Sequence, residues 1–124
     1  MKLSAFNRFC GALPHVHHVV QWGGAHVWKV GGAQGKVFAL ARPSEEGSDI
    51  HVSFKCSAMS YDLLKEQEGL RPAPYLASRG LTWVQRFSQA AMDDAALRDY
   101  LRESHRLAAQ NLTKALRIKL GLIQ

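Results

Sequence analysis

The 124-residue sequence predicts a single two-layer α+β domain, in which an antiparallel sheet carries helices on one face. Three observations support this fold class. Residues 50–56 alternate strictly between apolar and polar side chains, as in a strand with one packed face and one solvated face. Residues 26–41 favour a β-hairpin around a glycine-rich turn. Apolar side chains recur at helical spacing near both ends of the chain, which gives the element order α-β-β-β-α-β-α.

The first helix is predicted over residues 3–13. Pro14 marks its end, because proline disfavours a helical conformation in the residue before it. Residues 15–24 contain three histidines and a short apolar run, and they fit either a short strand or a loop. The helical stripe consists of Leu3, Phe6, Phe9, Cys10 and Leu13.

The hairpin pairs residues 26–30 with residues 36–41 across the flexible turn Gly31–Gly35. Residues 42–49 are predicted to be a loop from their proline, serine and glycine content. The strand over residues 50–56 follows. Its apolar face holds Ile50, Val52, Phe54 and Cys56, and its solvated face holds His51, Ser53 and Lys55.

A second helix is predicted to begin at a cap, Ser57 or Ser60, and to end near Glu68. Gly69 suits the left-handed position that follows a helix C-terminus. A fourth strand is predicted over residues 81–87, after a stiff proline-containing loop.

The last helix is predicted to start at Asp93 and Asp94, which suit a helix N-terminus, and to continue to about residue 119. We expect residues 1–124 to form one domain, with a basic helical end from about residue 114. The predicted core includes Phe6, Leu13, Val30, Phe38, Ile50, Val52, Phe54, Leu64 and Leu101.

The charge is distributed in blocks. The net charge is +6, and residues 1–44, 71–92 and 104–124 contain basic residues and no acidic ones. Such blocks can fold into a basic surface, which favours nucleic acid or another polyanion as the partner. A high-pI protein without such a partner is the open alternative. No apolar run is long enough for a membrane span, and the first residues lack the apolar core of a signal peptide.

Several segments, taken together in order and spacing, resemble the MmcQ/YjbR-like family. The resemblance implies a frataxin-like α/β fold, similar to the CyaY-like fold. It also implies a DNA-binding role through a "double wing", in which hairpin loops such as Gly31–Gly35 approach a groove of DNA. The turn at Ala33-Gln34-Gly35 is slightly longer than is usual in the family. The matching segments are Val20-Gln21-Trp22-Gly23, Val27–Gly32, Lys36–Ala39, Gly69–Tyr75, Trp83-Val84 and Glu103–Leu107.

No motif indicates catalysis, a cofactor or a metal. The sequence has no Gly-x-Ser-x-Gly, Walker A or His-Glu-x-x-His pattern, and both Cys10 and Cys56 fall on buried stripes. We therefore expect a protein that is not an enzyme and has no cofactor. The histidines at 15, 17, 18 and 26 lack nearby carboxylates, so they are interpreted as solvated surface. The acidic stretches are too short for an iron-binding surface of oxygen ligands.

Basic residues interleaved with aromatic residues are the strongest functional signal. Phosphates bind Lys and Arg, and nucleobase faces bind aromatic rings. Trp28, Phe38 and Phe87 are assigned to the core, whereas Trp22, Trp83 and Tyr75 are left open between core and surface. The candidate interface consists of Lys29, Lys55, Arg71, Tyr75, Arg79, Trp83 and Arg86.

Two functions remain open at this stage. The first is weak, largely non-specific binding of DNA or another polyanion through these residues. The second is a protein-interaction module that uses an exposed aromatic sheet face, since Trp, Tyr and Arg also anchor protein interfaces. We expect a small monomer. The two cysteines form no motif, so we expect it in a reducing cytoplasm.

Overall fold

An antiparallel sheet carries its helices on one face, as the alternation and periodicity predict. The computed structural model describes residues 1–44 and 49–122. The elements in chain order are α1 (Leu3–Gly11), β1 (Val16–Gln21), β2 (Ala25–Val30), β3 (Lys36–Pro43), β4 (Ile50–Lys55), α2 (Ala58–Leu64), β5 (Leu70–Pro72), a 3₁₀ turn (Ala77–Arg79), β6 (Trp83–Arg86), α3 (Asp94–Ala109) and α4 (Lys114–Leu120). The spatial order of the strands is β1-β2-β3-β4-β6-β5, and all neighbours are antiparallel.

The main core lies between the sheet and the helices. Phe6 and Cys10 of α1 and Leu97 and Leu101 of α3 are fully buried in it, because the spacing of these residues places them on one face of each helix. The predicted core is confirmed except at Leu13, which is partly buried at the edge of this cluster. Phe6, Val30, Phe38, Ile50, Val52, Phe54, Leu64 and Leu101 are all buried.

Side-chain caps mark the beginnings of α2 and α3. The Asp93 carboxylate accepts a hydrogen bond from the backbone N–H of Ala96 at 2.8 Å, as predicted for the start of α3. Ser57 caps α2 in the same way, accepting from the N–H of Ser60 at 3.1 Å. The predicted capping roles of Asp93 and Ser57 are therefore confirmed.

One strand of the sheet was left open by the sequence, and another was not predicted. Residues 16–21, left between strand and loop, form the edge strand β1, and the proline-containing segment contributes the short edge strand β5. Both are edge strands, so only one side of each is paired and the hydrophobic alternation is weak. The sheet therefore has six strands instead of the predicted four.

The predicted last helix is interrupted. Helix α3 ends at Ala109, and α4 starts after Thr113, whose side chain accepts from the N–H of Leu116 at 3.2 Å. This new cap starts a separate helix, although the apolar stripe continues through the break at Leu112. Four residues of the predicted loop, 45–48, lie outside the described residues, and β3 extends to Pro43.

The face of the sheet away from the helices is partly covered. The segment from Ala73 to Thr82 folds over it, and a second apolar cluster forms between this segment and the strands. Ser53, predicted to be solvated, is 2% exposed beneath this cover. The cluster consists of Ala25, Val27, Leu40, Ala73 and Trp83, with Val19, Val37 and Leu76 packed against it.

Candidate functional site

A row of side chains crosses the open face of the sheet from β3 to β5. Leu40 is paired with Ser53, Ser53 with Gln85, and Gln85 with Arg71. Cross-strand partners share a face, so these four side chains lie side by side. The Arg71 Nε donates a hydrogen bond to Gln85 Oε1 at 2.7 Å, which orients both side chains at one end of the row.

A groove of about 780 Å³ lies over this row. Strands β3, β4 and β6 form its floor, and the β1–β2 turn and the segment after β5 contribute to its walls. Two arginines, Arg42 and Arg79, line it, and no carboxylate of the described residues does. The lining residues are Trp22, Leu40, Arg42, Ser53, Pro74, Tyr75, Leu76, Arg79 and Gln85.

Trp22 and Arg42 form one wall of the groove. The Arg42 Nη1 donates to the backbone carbonyl of Trp22 at 2.8 Å, so β3 holds the β1–β2 turn in place. Trp22 is 54% exposed and has a φ of 53°, in the left-handed region that disfavours large side chains. The two glycines that follow also have positive φ, which allows the chain to turn tightly at this point.

Tyr75 lies in the segment that covers the sheet. It is 81% exposed, and its φ is 67°. This segment is anchored to the sheet, because the N–H of Ala73 donates to the carbonyl of Trp83 at 2.9 Å. Trp83 itself is 5% exposed and packs beneath the segment. The prediction of Trp83 as an interface residue is therefore wrong, because burial leaves its ring out of reach of a partner.

The electrostatic environment beside the groove is positive. The Arg71 guanidinium lies over the ring of Phe87, with Cζ 4.7 Å from the ring centroid. The imidazole of His51 packs edge-on against the same ring. Burial, and then the positive charge of Arg71, lower the pKa of His51. Phe87 is partly exposed, so its assignment to the core is corrected.

Arg86 does not belong to the interface. It is 2% exposed, and its Nη1 donates to the carbonyl of Met92 at 3.0 Å. Its Nη2 donates to the carboxylate of Asp94 at 3.0 Å. Arg86 lies one strand position beyond Gln85, so its side chain points to the helix side of the sheet. The prediction of Arg86 as a nucleic-acid contact is therefore wrong.

Lys29 and Lys55 lie on the open face but outside the groove. Both are half-buried, and the Lys29 ammonium donates to the carbonyl of Ala33 in the β2–β3 turn at 3.3 Å. The strand register places both lysines toward the end of the sheet opposite Arg42. The β2–β3 turn, predicted as a wing, is at that far end as well.

Of the seven predicted interface residues, Tyr75 and Arg79 line the groove, and Arg71 lies beside it, bonded to the lining residue Gln85. Sequence reasoning missed Arg42 and Gln85, and left Trp22 unassigned. The available signal was the alternation of β3 and β6, which places Arg42 with Leu40, and Gln85 with Trp83, on the open face.

Two histidine side chains interact next to α1. His18 Nε2 and His26 Nδ1 are 3.0 Å apart, and the His18 ring also stacks on Trp28. Burial and the charge of His26 lower the pKa of His18. Within the described residues, no group of three or more His, Cys, Asp or Glu side chains is arranged to hold a metal ion. This pair therefore lacks the further ligands of an ordinary metal site.

The cysteine thiols are buried. Burial raises the pKa of the Cys56 thiol to about 11 and raises the pKa of Cys10 as well. Both thiols are thus protonated at neutral pH, which makes them poor nucleophiles.

Among the helices of the described residues, none is long and apolar enough to cross a membrane.

These features define a class: a two-layer α+β protein with an arginine-lined groove on the open face of its sheet. The family model of YjbR matches residues 11–107, more than half of the chain. The chain therefore belongs to the YjbR family, which confirms the resemblance found in the sequence.

A solved structure shares this fold. The protein is similar to Deinococcus radiodurans protein DR2400, described as carrying the domain DUF419, with a TM-score of 0.81 and 22% sequence identity. The match covers 98% of this chain and 89% of that chain, and it shows a shared fold. No curated protein matches the sequence.

Proposed function

We propose that the protein binds nucleic acid, weakly and without strong sequence preference, through the arginine-lined groove. The observation that supports this proposal is the convergence of Arg42, Arg79 and Arg71 on one open face that also exposes two aromatic rings. In the described part of the chain, none of these arginines forms an ion pair with a carboxylate. Their charges are therefore available to phosphates.

The expected affinity follows from the chemistry of phosphate contacts. Arginines that neutralise phosphates release bound counterions, and this gives a non-specific Kd on the order of 10⁻⁴–10⁻⁶ M at physiological salt. Lowered salt strengthens such binding. Arg71 is held by Gln85 and Phe87, so little side-chain freedom is lost when it meets a phosphate.

We also propose that the protein is a monomer, that it acts in the cytoplasm and that it catalyses no reaction. Cys10 and Cys56 are free, buried thiols, which suits a reducing compartment. The groove, instead of the β2–β3 turn, forms the contact. The double-wing geometry is therefore replaced in this proposal by binding to the sheet face.

The test is a titration of fluorescently labelled DNA at several salt concentrations. The double variant Arg71→Ala/Arg79→Ala should weaken binding about equally on all sequences and reduce the salt slope by up to about two units. The matched control is Lys114→Ala/Lys119→Ala, which removes the same charge from exposed positions of α4. The control should bind more tightly than the groove variant and keep most of the salt slope.

Two results would contradict the proposal. The first is an absence of binding at tens of micromolar protein in low salt. The second is an equal loss in both double variants, which would indicate attraction by net charge alone. Binding that is indifferent to salt would favour the protein-interaction function instead, with the exposed Trp22 and Tyr75 as anchors.

A further inference from the structure

Two separate parts of the chain contribute exposed aromatic rings to the groove. Trp22 belongs to the β1–β2 turn, and Tyr75 belongs to the segment after β5. The other two tryptophans are buried, Trp28 in the main core and Trp83 in the second cluster. The groove therefore combines large apolar ring surface with the cations of Arg42 and Arg79.

The backbone at both rings is in an unfavourable conformation. Only three non-glycine residues in the described part of the chain have positive φ, and Trp22 and Tyr75 are two of them. A left-handed conformation is unfavourable for any residue other than glycine, and such strain concentrates at binding sites. In both cases the strained residue is exposed, so core packing does not explain its position.

Ring surface of this kind matches the face of an unpaired nucleobase. In a duplex, the faces of the bases are covered by their neighbours, and only edges and phosphates are accessible. In a single strand, each base can leave the stack and cover an aromatic ring. Phosphate contacts alone do not require aromatic rings, whereas single-strand binding combines both.

The floor of the groove adds a hydrogen-bond donor. The Oε1 of Gln85 accepts from Arg71, so the amide nitrogen is the end of the side chain that can donate to a ligand. Gln85 is buried and lines the groove, and its hydrogen bond with Arg71 holds its amide in place. A ligand with ring faces, acceptor atoms and a phosphate suits this set of groups.

We propose that the groove takes an unpaired base together with its phosphate, stacked on Trp22 and Tyr75, so that the protein prefers single-stranded nucleic acid to duplex. This inference rests on the proposed nucleic-acid binding. The shared chemistry is a base and a phosphate, which DNA and RNA strands both present.

The experiment measures fluorescence anisotropy with four labelled probes of one length: a thymidine strand, a uridine strand, a DNA duplex, and an abasic DNA strand. The abasic strand keeps the phosphates and lacks the bases. We expect either base-containing strand to bind about tenfold or more tightly than the abasic strand and the duplex. Comparison of the thymidine strand with the uridine strand shows whether the preferred ligand is DNA or RNA.

The variants Trp22→Ala and Tyr75→Ala should each weaken binding of the base-containing strand about tenfold and leave the abasic strand and the salt slope unchanged. Truncation of Trp22 keeps its backbone carbonyl, which accepts from Arg42, so the turn should persist. Trp22→Phe should restore most of the affinity. The control is Met59→Ala, an exposed apolar residue of α2.

The outcomes separate the two proposals. If the duplex and the abasic strand bind as tightly as the base-containing strands, with a steep salt slope, the single-strand inference is overturned and phosphate binding stands. Equal losses on the abasic and base-containing probes in Trp22→Ala also overturn it. If none of the probes binds at tens of micromolar protein, both proposals fail.

Discussion

Among single residues, Arg86 shows that burial and internal partners can make a charged side chain structural and keep it from binding a ligand. Its guanidinium is buried between the carbonyl of Met92 and the carboxylate of Asp94. The same carboxylate lies 3.4 Å from the N-terminal ammonium of Met1. Arg86 is 2% exposed and Asp94 is 37% exposed, so loss of the guanidinium leaves a buried carbonyl and a half-buried carboxylate without their donor. Arg86 therefore links β6, the start of α3 and the N-terminus of the chain.

Replacement of this residue should destabilise the fold. Arg86→Met keeps much of the volume but leaves the carbonyl of Met92 without its donor. We expect the free energy of unfolding to fall by about 3 kcal/mol, measured by urea denaturation. Arg102→Met is the control, since Arg102 is exposed and pairs with Asp99 at the surface. The control should cost less than about 1 kcal/mol. Equal losses in the two variants would contradict this role of Arg86.

At the scale of elements, Gly69 connects α2 to β5 in an unexpected way. Helix α2 ends at Leu64, with Lys65 as its C-cap, so Gly69 does not terminate the helix as predicted. Gly69 nevertheless has a φ of +84°, and its carbonyl accepts from the N–H of Phe87 at 2.9 Å. A Cβ at this position would lie 2.8 Å from the carbonyl oxygen of Ser88.

The chain offers a matched pair of glycines that separates backbone strain from a steric clash. Gly80 has a φ of +77°, close to that of Gly69, but a Cβ there would meet nothing within 4 Å. We expect Gly80→Ala to cost about 1 kcal/mol from strain alone. Gly69→Ala should cost about 3 kcal/mol, because it adds a clash with the backbone at Ser88. Thermal or urea unfolding measures the loss of unfolding free energy in both variants. Equal losses would show that the backbone moves to avoid the clash at Gly69 without a further cost.

At the scale of the whole molecule, partly buried histidines connect stability to pH. The pKa values of His18, His51 and His105 are all lowered, in each case mainly by burial, which disfavours the charged imidazolium. The His105 ring donates to the carbonyl of Pro14 at 2.9 Å and packs edge-on against Phe38. This histidine therefore ties α3 to the loop after α1.

A lowered histidine pKa makes the folded state less stable in acid. The unfolded chain takes up protons near the ordinary pKa of 6.5, whereas the folded chain takes them up only at lower pH. The stabilisation is fully present above that value and is lost as the pH falls through 6.5 toward the folded pKa. We expect the free energy of unfolding to decrease between about pH 7.5 and pH 5.

Urea denaturation at several pH values measures this dependence. His105→Gln retains a donor for Pro14 but cannot titrate, so the decrease should become shallower in this variant. The control is Met59→Gln, which makes the same amide at an exposed position of α2 that has no titratable group, and it should leave the slope unchanged. A stability that is constant over this range would contradict the role of the buried histidines.

The fold class, the family and most of the core could be predicted from the sequence. The alternation at residues 50–55 and the helical stripes of α1 and α3 are local patterns, and local patterns follow from the 2.0 and 3.6 residue periods of strands and helices. The caps at Ser57 and Asp93 were predictable for the same reason, because a cap acts within three residues.

Which cations and aromatic rings share a surface could be read only from the folded chain. Arg42, Arg79 and Trp22 are far apart along the chain, and they meet because the β1–β2 turn and the segment after β5 both reach the open face of the sheet. Trp83 and Arg86 were lost from the interface because the covering segment buries one and Asp94 pairs with the other. Such contacts depend on strand order and chain crossings, which no local periodicity encodes.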